Sequence, residues 1–105
     1  MIFGTALLGI PFHVNVISVE HPKDKLQGII TDFLKEIEEL MGIPMDCFPE
    51  EAMTIFDDYR GEGWGCPTIQ SDRMVFDFPR LEGIFVEKVY TSKTLAGMID
   101  IIKKE

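Results

Sequence analysis

A chain of 105 residues, 46% hydrophobic and 27% charged, is one small domain with enough apolar surface to fold, which excludes an intrinsically disordered segment. Its 18 acidic against 10 basic residues, a formal net charge of −8, argue against nucleic acid or an anionic membrane as partner, because those affinities come from clustered Lys and Arg. The two cysteines, Cys47 and Cys66, make neither a disulfide framework nor a CxxC metal pair, so the expectation is a cytoplasmic protein with no structural zinc.

Met1 to Leu8 reads as a buried helix stopped by Gly9 and Pro11. This apolar start lacks the basic region and cleavage site of a secretory signal, and it is shorter than the roughly 20 apolar residues of a bilayer span. Phe12 to Val19, rich in β-branched residues, predicts a strand covered on both faces, as in a parallel sheet. Lys23 to Met41 then places Leu26, Ile29, Ile30, Phe33, Leu34, Ile37, Leu40 and Met41 at helical spacing, with acidic residues opposite. Gly42 stands where a left-handed cap is expected, and Pro44 blocks continuation.

Residues 43 to 51 read as a loop, and Ala52 to Tyr59 as a short strand or an approach to a glycine cluster. In RGEGWGCPT, Gly61, Gly63 and Gly65 alternate, a spacing that lets a backbone turn tightly or approach a ligand where a Cβ would clash. Pro67 can open a helix over Gln70 to Phe78, which Pro79 is expected to end or kink. Gly83 to Tyr90 predicts a second strand. Thr91 or Ser92 can cap a last helix whose Leu95, Met98, Ile99 and Ile102 face the core, while Lys103 and Lys104 suit the negative end of its dipole. This alternation of helices and strands predicts an α/β fold over residues 1–105, a single domain of three αβα layers with a partial parallel sheet and crossover helices.

Three separated blocks carry a family resemblance: DDYRGEGWGCPT from Asp57, LEGI from Leu81, and VYTSKTLAGMID from Val89 to Asp100. In order and spacing they resemble the DxYxGxGYGxPT and EGIxLDPVYTGKAxxGLID segments in the C-terminal part of one family. It is the D-cysteine desulfhydrase and 1-aminocyclopropane-1-carboxylate (ACC) deaminase group of fold type II pyridoxal-phosphate enzymes, with the tryptophan synthase β-like fold. The strand HVNVISVEHP and the long helix after it also lie where that family has a similar strand and helix, so the resemblance covers nearly the whole chain.

The resemblance implies site residues one by one. Trp64 takes the place of the tyrosine in the family's GYG, an active-site aromatic whose hydroxyl can share in acid–base steps; an indole offers only an N–H donor. Tyr90 matches the tyrosine of VYTGK, near substrate and cofactor ring, and Thr91 the next residue, close to the ring nitrogen. Ring-opening deaminases carry glutamate at that second position and desulfhydrases carry threonine. Thr91 therefore favours β-elimination of a thiol-bearing amino acid. Thr91 also reads as a helix cap, and Trp64 as a core or interface aromatic. Lys93 matches the lysine of TGK but is expected to be a solvated or anion-facing charge on the last helix. The family's Schiff-base lysine lies far upstream and has no counterpart here. Glu87-Lys88 in place of Asp-Pro, Ser92 in place of glycine, and Pro79 within the helix are departures from the pattern.

His13 and His21 lack a carboxylate or cysteine at ligand spacing, Cys66 has no basic neighbour in sequence to activate it, and Asp57-Asp58 read as loop or capping residues. No metal site is expected. The implied cofactor is pyridoxal 5′-phosphate, held in the complete enzyme, with a small amino acid as substrate. The chain is expected to be an interior piece of the large cofactor-binding domain, starting after the phosphate loop and ending before the family's last strand. Alone it is expected to be inactive, and to form a homo-oligomer or pair with a complementary fragment through its unpaired edges. The alternatives are a non-catalytic α/β association or small-molecule-binding module, and an ACC deaminase.

Overall fold

The computed structural model describes residues 1–105. Its elements are helix α1 (Ile2–Leu7), strand β1 (Val14–Ile17), helix α2 (Lys23–Met41), the short helix α3 (Pro49–Ala52), strand β2 (Met53–Phe56), and helices α4 (Ile69–Glu82) and α5 (Thr91–Lys104). The two strands form one small parallel sheet, so the expected α/β class holds. The chain divides into two compact units: Met1–Val16 with Lys23–Phe56, and Ile17–Pro22 with Asp57–Glu105. No helix is long and apolar enough to cross a membrane.

In the first unit α1 buries only Phe3, with Leu7 and Leu8 exposed, so it is not the buried helix its sequence predicts. Gly9 adopts a left-handed φ of 61°, and the Ile10 amide donates back to the Thr5 carbonyl at 3.1 Å, closing α1. α2 has the bounds that periodicity predicts, and Gly42 ends it with a φ of 66°. Along β2, buried and half-buried residues alternate, with Met53 and Ile55 inward. Together with Phe3 and Leu34 they make the unit's core.

Two expectations fail here for one reason of size. The predicted stripe of α2 buries only Leu34 fully, while Phe33, Leu40 and Met41 are exposed. A helix of 19 residues is about 28 Å long, whereas a strand of 4 residues runs about 13 Å, so two short strands cannot cover the stripe. The first strand is likewise shorter than Phe12–Val19, and with Phe12 and Asn15 exposed it is not covered on both faces.

In the second unit, α4 and α5 pack against each other. α4 starts with a capping box the apolar pattern did not announce: Thr68 Oγ1 accepts from the Ser71 amide at 3.0 Å, and Ser71 Oγ accepts from the Thr68 amide at 2.8 Å. Pro67 lies outside the helix. Pro79 neither ends nor starts it; the helix runs on to Glu82 and closes on Gly83 at a φ of 68°. Proline there forfeits one intrahelical bond in the last turn, a loss the left-handed cap limits.

The strand expected over Gly83 to Tyr90 is absent. Residues 84–87 belong to no ladder, 88–90 form a turn, and Phe85 is exposed. The Glu87 carboxylate, which accepts the next amides in the chain, winds this segment into α5 instead of leaving them for a ladder. The inward face of α5 also differs from the apolar one. Ser92, Lys93, Ala96 and Gly97 are buried, while Met98 and Ile102 are exposed.

Candidate functional site

Tyr59 sets the floor of the second unit. Its ring lies so close over α5 that a Cβ on Gly97 would sit 2.9 Å from the ring and 3.0 Å from the Ile17 side chain. Its hydroxyl donates to Asp100 Oδ2 at 2.7 Å, and Lys104 Nζ meets the same oxygen at 2.7 Å. The bond to Asp100 raises the Tyr59 pKa, and the Lys104 ammonium lowers that of Asp100.

Directly after Tyr59 the backbone makes two consecutive turns. The Gly63 amide donates to the Arg60 carbonyl at 3.2 Å, and the Cys66 amide to the Gly63 carbonyl at 3.3 Å. Gly61, Gly63 and Gly65 have φ of 62°, 127° and 74°, values that favour glycine, so the alternation in sequence is a requirement of the turns. A Cβ on Gly61 would in addition meet the Thr68 methyl at 2.7 Å. Trp64 sits on the second turn with its indole toward Tyr90, and Trp64 Nε1 donates to the Tyr90 hydroxyl at 2.6 Å. Both side chains are more than half open to solvent or close to it, at 57% and 50%.

Tyr90 is the N-cap residue of α5 and Thr91 its first helical residue, so Thr91 is not the cap its sequence position suggested. Glu87 performs that role. Its carboxylate accepts from the amides of Val89 at 2.6 Å, Tyr90 at 2.7 Å and Thr91, and the Thr91 hydroxyl bonds it too. These donors, led by the Thr91 amide, lower the Glu87 pKa to about 2. The carboxylate also faces the positive end of the helix dipole. Glu87-Lys88, a departure from the family pattern, thus keeps a carboxylate with a definite task. Ser92, the departure from glycine, is fully buried, with its hydroxyl on the Lys88 carbonyl at 2.9 Å.

Lys93 corrects the sequence reading most sharply. Expected as a solvated or anion-facing charge, it is 1% exposed, and its Nζ donates at 2.7 Å to both the Arg60 and the Gly63 carbonyls. The resemblance placed Trp64, Tyr90 and Thr91 in one site, and the structure brings the first two into contact and sets the third beside them. His13 Nε2 lies 2.6 Å from the Thr54 hydroxyl and His21 Nε2 is 3.8 Å from Glu20. Sequence reasoning missed Glu87 and Lys93 as organisers. An acidic residue four positions ahead of a helix start was an available signal for the first; nothing in sequence signalled the second.

The implied pyridoxal phosphate would need a free lysine, open backbone N–H groups for its phosphate and a partner for its ring nitrogen. The site supplies none of these unoccupied. Lys93 is spent on two carbonyls, Glu87 fills the N-terminal amides of α5, and the Thr91 hydroxyl is engaged by that same carboxylate. By itself this site does not fit the cofactor.

No family model matches the chain. Among curated proteins it is 28% identical over 95 residues to a Thermotoga maritima protein provisionally named a 1-aminocyclopropane-1-carboxylate deaminase, a match over 88% of this chain and 29% of that one. It is 27% identical over 104 residues to an Allorhizobium ampelinum protein named 1-aminocyclopropane-1-carboxylate deaminase, a match over 99% of this chain and 31% of that one. Among solved structures, that of an ACC deaminase homologue matches with a TM-score of 0.82 at 22% identity, over 97% of this chain and 30% of that one. That likeness shows a shared fold. The chain therefore spans less than a third of the length of the relatives it matches. Over nearly its whole length, the chain is similar to one part of proteins named 1-aminocyclopropane-1-carboxylate deaminase.

Proposed function

We propose that the chain is the substrate-facing part of a pyridoxal-phosphate-dependent lyase of the D-cysteine desulfhydrase type. In complete form such an enzyme splits a small amino acid by β-elimination, and with water gives pyruvate, ammonia and sulfide. One observation carries this reading: the Trp64 indole donates to the Tyr90 hydroxyl at 2.6 Å, at the two positions where the family resemblance has its substrate-side aromatics. With its oxygen accepting the hydrogen bond from the indole N–H, the Tyr90 hydroxyl has its own O–H left to donate toward substrate. Thr91 stands where the ring-opening members of the resembled family carry glutamate and the desulfhydrases carry threonine, which supports a thiol-bearing amino acid over ring opening of ACC. The cofactor's lysine and phosphate cradle belong, in this reading, to a complementary segment. Exposed Phe76, Leu81, Ile84 and Phe85 supply apolar surface for such a segment or for a second copy.

Co-expression with the complementary upstream part of the Thermotoga maritima relative tests the proposal. The expected result is a co-purifying pair that retains pyridoxal phosphate and releases sulfide and pyruvate from D-cysteine faster than ammonia from ACC. A pair that forms but retains no cofactor overturns the lyase reading. The same outcome favours the second reading, a non-catalytic association module, for which the engagement of Lys93 and of the α5 amides speaks.

A further inference from the structure

We infer that Lys93 is a positioning residue: its ammonium ties both turns of residues 60–66 to the first turn of α5, and so holds the Trp64 indole on the Tyr90 hydroxyl. Lysine is among the side chains least often fully buried, and a buried polar head costs free energy unless hydrogen bonds compensate it. Lys93 is 1% exposed and its compensation is two backbone carbonyls, those of Arg60 and Gly63, each at 2.7 Å. These are the carbonyls that close the two turns by accepting the Gly63 and Cys66 amides. A carbonyl oxygen has two lone pairs, so the turn amide takes one and Nζ the other. The lysine can therefore satisfy both only when both turns are formed.

The loop needs such an anchor. Three glycines at positive φ cost more conformational freedom on folding than any other residues there would. The Trp64–Tyr90 bond joins two exposed side chains, and a single bond of that kind is too weak to hold a glycine-rich loop. Tyr90 and Lys93 are three apart at the start of α5, on one face of the helix. One helical turn thus carries both the acceptor for Trp64 and the tether for the backbone on either side of it. The consequence for activity rests on the lyase reading; the tether does not.

Trp64 is the chain's one tryptophan, so its fluorescence reports this loop alone. In the full chain, Lys93→Met keeps an unbranched side chain as far as Cε and removes the ammonium donors. The expected result is red-shifted emission and at least a twofold rise in acrylamide quenching, approaching Tyr90→Phe in emission, while helical circular dichroism is retained. Ser71→Ala, which weakens α4 without touching either turn, should leave native emission and quenching unchanged. A folded Lys93→Met protein with parental emission and quenching overturns the proposal. Should that variant fail to fold, nitrogen-15 NMR of lysine ammonium groups in the unaltered chain decides. A Lys93 ammonium at least tenfold slower in proton exchange than the surface lysines supports the tether, and exchange at their rate overturns it. Neither readout involves the cofactor, so failure here and failure of the co-expression assay are separate events.

Discussion

The two units of this chain are built on different principles. Four of its five buried hydrophobic residues, Phe3, Leu34, Met53 and Ile55, lie in the first unit and only Ala96 in the second. All four buried polar or charged residues, Ser18, Ser71, Ser92 and Lys93, lie in the second. Apolar burial organises the first unit. Side-chain bonds to backbone organise the second, through Ser18 on the His21 carbonyl at 2.6 Å, Ser71 in its capping box, Ser92 on Lys88 and Lys93 on two turns. The candidate site sits in the unit whose interior is polar. Polar pins are directional and fix a loop's shape, whereas apolar contacts are not, so this is the unit suited to hold Trp64 against Tyr90.

Substitutions can break this contrast from either side. The largest effect is expected from Leu34→Ala, which opens a cavity in the apolar unit and should cost about 3 kcal/mol. Thermal melts followed by circular dichroism should shift more than melts followed by Trp64 emission. Equal shifts in both would mean that the units do not differ in this way. Gly97→Val forces a side chain against the Tyr59 ring and should cost about 2 kcal/mol by overpacking, with the order of the two probes reversed. Ser71→Ala removes half of the capping box of α4 and should cost about 1 kcal/mol, read in the emission melt.

The smallest expected effect is one of pH. Glu87 has its pKa lowered to about 2 in the folded chain from an ordinary value near 4.5. Its folded pKa is depressed, so its contribution is fully present above the ordinary value and is lost as pH falls toward 2. Helicity of α5 should decline over that window, and Glu87→Gln should flatten the decline, measured by circular dichroism between neutral and acid pH. An unchanged profile in the variant would remove Glu87 as the cap.

How far the sequence could be read follows the same division. Apolar periodicity gave α2 its bounds from Lys23 to Met41, and Gly42 its cap, because a long amphipathic helix is specified by burial. The glycine alternation at residues 61, 63 and 65 was legible because positive φ restricts residue type. Periodicity misled at Gly83 to Tyr90, where an apolar β-branched pattern met the Glu87 carboxylate and became a cap. It misled again on α5, whose buried face runs through Ser92, Lys93 and Gly97. Hydrogen bonds across 30 or 33 residues, such as those of Lys93, leave no local pattern to find. Trp64 and Tyr90 were singled out by family resemblance, and their contact, 26 residues apart, is visible only in the folded chain.

The most direct test of the account is to expose the chain to pyridoxal phosphate, reduce with borohydride and map phosphopyridoxyl groups on its lysines by mass spectrometry. The account, in which Lys93 is buried as a tether and this site holds no cofactor alone, predicts only scattered low labelling of surface lysines and none at Lys93. Saturable labelling concentrated at Lys93 would contradict it.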